Sequence, residues 1–139
     1  MRVSERKRVM NGKLPYVAEV RGLRVYQLAF ESSMLIFDVT RCFPRNEQYS
    51  LTDQILRASR SVCANLAEAW SKRKYPAHFI MKLSDAECEA RETQIWIDFC
   101  RSCRYLQPDF ADTLRASYDE VIRMLVSMRT NPNKWVIKT

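Results

Sequence analysis

YSLTDQILRASRSVCANLAEAW, residues 49–70, decides the fold. Leu51, Ile55, Ala58, Val62, Leu66 and Ala69 recur at three- and four-residue steps, the repeat of one buried face on an α-helix. A strand would alternate every two residues instead. Ser50 stands where an N-cap belongs, and Asp53 occupies the position a capping box fills with Glu or Gln. Lys72, Arg73 and Lys74 follow and suit the negative end of the helix dipole. Asn65 and Glu68 fall on the shoulder of the stripe, on a row with Ser61 and Lys72. An unpaired buried polar group costs about 1–3 kcal/mol, so this amide and carboxylate are expected to bond a neighbouring helix or a helix terminus.

The same repeat extends to both sides. A first helix is predicted from Leu23 to Cys42, with Val25, Leu28, Ser32, Leu35, Val39 and Cys42 inward and Tyr26, Phe30, Ile36 and Phe37 widening the apolar face. Pro44 ends it. Pro76 opens a third helix through Phe79, Leu83, Ala86, Ala90, Thr93, Ile97 and Cys100 to Arg104. Pro108 opens a fourth through Phe110, Leu114, Ser117, Val121, Leu125 and Met128, stopped at Asn131-Pro132-Asn133. Links of roughly four to eight residues force neighbours to run antiparallel, so the expected fold is an all-α, up-down-up-down four-helix bundle. Residues 23–130 form that bundle, 1–22 a basic, partly flexible arm and 131–139 a short tail. Gly12 and Gly22 are the only glycines, which argues against a sheet built on tight hairpins.

The charge is uneven. The net charge is +7, and residues 1–24 carry seven Lys/Arg against Glu5 and Glu19. Residues 85–98 carry five acids against Arg91. Such asymmetry fits an anionic partner, or pairing between subunits. The five cysteines are an odd number, and no apolar run reaches the ~18 residues of a membrane span. A cytoplasmic protein without a membrane partner is expected.

Catalytic chemistry finds little support. The one histidine, His78, lacks the Glu-x-x-His spacing of a di-iron bundle, since position 75 is Tyr. Cys100-x-x-Cys103 is one pair where a structural zinc site needs four ligands, so Cys100 reads as core and Cys103 as a bystander. No glycine-rich phosphate loop is present. No catalytic residue, metal ligand or cofactor is assigned. The basic features are stronger. Arg57 and Arg60 share a helical face, Lys72, Arg73 and Lys74 end that helix, and Arg6, Lys7 and Arg8 lie in the arm. Cations so placed neutralise phosphates and release counterions. For Arg57 the competing explanation is a local pair with Asp53, worth a few tenths of a kcal/mol.

Three blocks carry a resemblance: LRVYQLAFE (23–31), YSLTDQILRASRSVCANLAEAW (49–70) and EARETQIWI (89–97). Together they resemble the four-helix-bundle family of 23S rRNA-intervening-sequence proteins, to which the accessory protein of diversity-generating retroelements is also similar. The resemblance implies a homopentamer that binds RNA or DNA through a basic surface without enzymatic activity. In the retroelement branch it implies a reverse transcriptase as partner. Its third-helix block offers Arg91, Glu92, Thr93 and Gln94 as partners for Asn65 and Glu68, with Glu92 placed in that network. The family often has Pro where Cys63 stands and Gly where Ala69 stands, so this chain departs from it there. The leading expectation is nucleic-acid binding through Arg57, Arg60, Lys72, Arg73 and Lys74, helped by Arg6, Lys7 and Arg8. The alternative is a protein-binding scaffold with no nucleic-acid role, and a metal enzyme ranks third.

Overall fold

Helices α1 (Arg24–Thr40), α2 (Leu51–Ser71), α3 (Pro76–Ser102) and α4 (Pro108–Thr130) make up the computed structural model, which describes residues 19–138. Contacts run in a ring, α1 to α2 to α3 to α4 and back to α1, and the α2–α3 pair is the most extensive. The expected antiparallel four-helix bundle is therefore the fold, with α1 and α3 on one diagonal. Short 3-10 turns at Val20–Gly22, Arg45–Glu47 and Pro132–Lys134 complete the described residues, among which no strand occurs.

The stripes predicted for α2 and α3 are buried as read, from Leu51 through Ala69 and from Phe79 through Cys100. On α4 the core is Ala111, Leu114, Tyr118, Val121, Ile122, Leu125 and Met128, so Phe110 and Ser117 sit at its edge. On α1 the prediction needs correction. The buried face is Val25, Ala29, Ser32, Ser33, Ile36 and Thr40, while Leu35 is 46% exposed and Cys42 lies outside. Small residues face inward because α1 meets α2 closely, as the buried Ser33–Ser59 hydroxyl contact of 3.4 Å shows. Helix α1 is apolar on more than one side, and periodicity alone does not choose between two apolar stripes.

Polar groups lock α4 onto α3. Glu87 is buried, yet its carboxylate accepts from Arg129 Nε at 2.7 Å and from Arg91 Nη2 at 2.9 Å. Gln94 Nε2 donates to Asp119 Oδ1 at 2.8 Å and to the Arg115 carbonyl at 3.0 Å. These bonds satisfy groups that would otherwise be desolvated without partners, and they set the register of the pair. The hydrogen bond from Arg129 holds the Glu87 carboxyl below its ordinary range, against the upward push of burial and with help from Arg91.

The helix ends depart from expectation in two places. Ser50 makes no side-chain capping bond; Glu47 instead accepts from Ser50 Oγ at 2.7 Å and from the Leu51 N–H at 3.4 Å. Glu47 also accepts from Tyr105 Oη at 2.8 Å, tying the α1–α2 link to the α3–α4 link. Helix α3 closes with Tyr105 N bonded to the Cys100 carbonyl and Arg104 N to the Arg101 carbonyl, a Schellman motif. That motif needs a left-handed residue, and with no glycine beyond position 22 the place falls to Arg104, φ 65°.

Replacing Arg104 by Gly should therefore raise stability by about 1 kcal/mol, read as a higher urea midpoint with unchanged slope. The Glu87 clasp should make stability pH-dependent. A depressed folded-state pKa contributes stability that is complete above the unfolded carboxylate value near ~4.3 and lost as pH falls through the folded value. Glu87→Gln should cost about 2 kcal/mol at neutral pH and leave urea stability less dependent on pH in the acid range than in the parent.

Candidate nucleic-acid interface

Antiparallel packing brings the start of α1, the end of α2, the start of α3 and the end of α4 to one end of the bundle. Contacts confirm the grouping. Trp135, just past α4, packs edge-on against Trp70 of α2 with centroids 6.1 Å apart, and the Ile137 N–H donates to the Arg73 carbonyl at 3.0 Å. Leu23, Arg24 and Val25 line one small apolar cavity, about 170 Å³, with Met124, Met128 and Trp135. The short C-terminal tail is thus laid across the end of α2. Val20–Gly22, assigned to the flexible arm, is a turn packed against α1 and α2.

This end is strongly basic. Segments 19–24, 72–75 and 129–138 together hold eight Lys/Arg and one acid, Glu19. The opposite end is near balance: segments 41–53 and 98–112 hold four Arg and five acids. Among the described residues the two ends of a bundle about 30 Å long therefore differ in charge.

The basic residues singled out from the sequence do not form one patch. Lys72 and Lys74 are exposed at the α2–α3 link. Arg73 is half-buried: its Nε donates to the Trp70 carbonyl at 3.0 Å and its guanidinium lies 3.7 Å from the Trp70 ring centroid. A stacked Arg is held by packing as well as charge, so Arg73 pins the tail and the link together. Arg57 and Arg60 are exposed on α2, but Arg57 lies fifteen residues before Lys72, about 22 Å along the axis. Arg57 is 3.9 Å from Asp53, and its charge also reaches Glu89 of α3, whose carboxyl is pushed up by burial and by Glu92 and Asp85. It belongs to an acidic neighbourhood. Arg6, Lys7 and Arg8 lie outside the described residues.

Asn65 and Glu68 do reach α3, through a residue other than those expected. Lys82 Nζ bonds Glu68 Oε1 at 2.7 Å and meets Asn65 Oδ1 at 3.5 Å and Asp85 at 3.7 Å. Asn65 Nδ2 donates to the Ser61 carbonyl at 2.9 Å. Glu92 stands apart from this network and accepts from Trp96 Nε1 within its own helix at 3.2 Å. Arg91 is engaged by Glu87, Thr93 by the Glu89 carbonyl and Gln94 by α4. Lys82 stands level with Asn65 across the tight α2–α3 link, whereas Arg91, Glu92, Thr93 and Gln94 lie nine or more residues further along α3, about 13 Å or more away along its axis.

Two exposed lysines of the basic end, Lys134 and Lys138, were not picked out by sequence reasoning. Their approach to Lys72 and Lys74 depends on the Trp135–Trp70 contact, between residues far apart in the chain. The only hint was an unexplained tryptophan in a short polar tail.

Among the described residues no three His, Cys, Asp or Glu side chains cluster as metal ligands. The Cys100 thiol is buried and pushed up to about 12, chiefly by desolvation, and the Cys63 thiol to about 11 by the same cause. Neither has the thiolate character of a reactive cysteine at neutral pH. His78 is exposed, beside the ring of Tyr75. No described helix is long and apolar enough to cross a membrane.

The family model of 23S rRNA-intervening sequence proteins matches residues 21–127. The chain is also similar to a crystal structure of a protein of unknown function from the S23 ribosomal protein family of Bacteroides thetaiotaomicron. The two are 25% identical with a TM-score of 0.70, over 77% of this chain and 96% of the other. No curated protein matches. The match covers all four helices nearly to the end of α4, and with it the chain belongs to the family of 23S rRNA-intervening sequence proteins.

Proposed function

We propose that the protein binds nucleic acid, without catalysing a reaction on it, through the basic end of the bundle. The observation that carries this reading is the concentration of positive charge at that end, with Lys72, Lys74, Lys134 and Lys138 exposed there. Exposed ammonium groups on flexible stems bind phosphates by releasing counterions, which gives affinity with little base preference. RNA is the first ligand to test, because the family's name refers to 23S rRNA. In the retroelement branch of the resemblance, a reverse transcriptase and its RNA are the corresponding partners.

The protein acts as a homo-oligomer in this proposal, and the resemblance makes that a pentamer. Two exposed apolar faces support self-association. Helix α1 shows Phe30 at 49% and Met34 at 44% exposure, and α3 shows Ile95 at 50% and Phe99 at 53%. Apolar surface of this kind on a water-soluble chain marks a contact site. The two faces differ, so the contact between copies is head-to-tail and closes into a ring.

Lys72→Glu with Lys74→Glu should lower affinity for a short RNA about tenfold or more at ~50 mM salt, and should flatten the slope of log affinity against log salt by about one to two. The readout is fluorescence anisotropy. No binding by the parent at low salt to RNA, DNA or hybrid would refute the reading. Arg57→Glu with Arg60→Glu tests the scaffold alternative, which expects loss of the oligomer with nucleic acid irrelevant. Phe30→Asp or Phe99→Asp should each convert the assembly to monomer by light scattering while leaving the helical circular dichroism intact.

A further inference from the structure

The α2–α3 link sets an aromatic platform within the basic end. Tyr75 is 55% exposed, the only large aromatic so open among the described residues at that end. Lys72 Nζ lies 5.9 Å from its ring centroid, and the His78 ring lies 6.0 Å away, tilted by 46°. The tilt keeps the two rings from covering each other face to face, so Tyr75 retains a planar surface for a ligand ring. From Ala69 through Ser84 the chain carries Lys72, Arg73, Lys74 and Lys82 and no acid. Trp70 and Trp135 are poorer platforms, the first buried under Arg73 and the second turned edge-on against it.

We infer that Tyr75, flanked by His78 and Lys72, is a stacking site for an unpaired base, so that the ligand of the basic end is single-stranded nucleic acid. The inference rests on the nucleic-acid reading above and narrows its ligand class. Physical chemistry favours the single strand. Lysines alone hold a duplex as well as a strand, because both present phosphates. A ring with a free face adds affinity for a base that is not already stacked between its neighbours in a helix. Lys72 Nζ lies over one face of the ring, so the base stacks on the other face and the ammonium meets a neighbouring phosphate. The contact is tolerant of sequence, since every base offers a flat face.

The test uses the full chain in its native assembly, with fluorescence anisotropy on a single-stranded RNA of about 16 nucleotides and on the duplex of the same sequence. The parent should prefer the single strand. Tyr75→Ala should reduce the ratio of single-strand to duplex affinity about tenfold, and Tyr75→Phe, which keeps the ring, should preserve it. Tyr49→Ala is the control, because Tyr49 is 87% exposed at the opposite end and should leave the ratio unchanged. A parent that binds both forms equally, or a Tyr75→Ala ratio equal to the parent's, overturns the stacking site and leaves the basic-end reading standing. A parent that binds neither form overturns both.

Discussion

Short links are the constraint from which the rest follows. Only residues 72–75 join α2 to α3, and residues 103–107 join α3 to α4. Helices joined so tightly have no choice but to reverse. Reversal decides which segments meet: the start of α1 and the end of α4 come to the α2–α3 link although they are far from it in sequence. Among the described residues the cations of these segments are thereby gathered at one end, while the other end stays near neutrality. The electrostatics of this molecule are a product of its topology.

Within that frame, polar groups do the fine alignment. Apolar stripes on α3 and α4 would tolerate a slip with repacking. The Glu87 carboxylate between Arg91 and Arg129, and the Gln94 amide between Asp119 and a backbone carbonyl, would each be stranded by the same slip. Burial makes that loss expensive, so these side chains add directional constraints that dispersion cannot supply. Lys82 performs a milder version between α2 and α3, its ammonium held charged by Glu68 and Asp85 at a half-exposed position.

Much of this was legible in advance, for reasons that can be named. The buried stripes of α2 and α3 were both read correctly, although α3 also carries exposed Met81, Ile95 and Phe99. Helix α1 was not, because Phe30 and Leu35 among its large side chains lie outside, while Ala29 and Ser33 share its inward face with Val25, Ser32 and Ile36. Hydrophobicity counts large residues, whereas close packing of helices selects small ones. The clasp of Asn65 and Glu68 was directed to the right helix and the wrong residue, since the candidates came from the resemblance and lie too far along α3 from the α2–α3 link to stand level with Asn65. At the site, Lys72 and Lys74 were visible as exposed cations. Arg57 and Arg60 were grouped with them as cations of the same helix, and the helical rise sets Arg57 about 22 Å from Lys72. Lys134 and Lys138 were missed because a contact between Trp70 and Trp135 is a tertiary event.

The tail pinned across α2 has a practical side. The first and last described residues, Glu19 and Lys138, both leave the fold at the basic end. A tether, dye or affinity handle fused just past Lys138 is therefore attached beside the proposed ligand surface, where it can shield charge or crowd a strand. The α3–α4 turn around Arg104 is exposed, at the opposite end and about a bundle length away. Immobilising the protein there would leave the basic end facing solution.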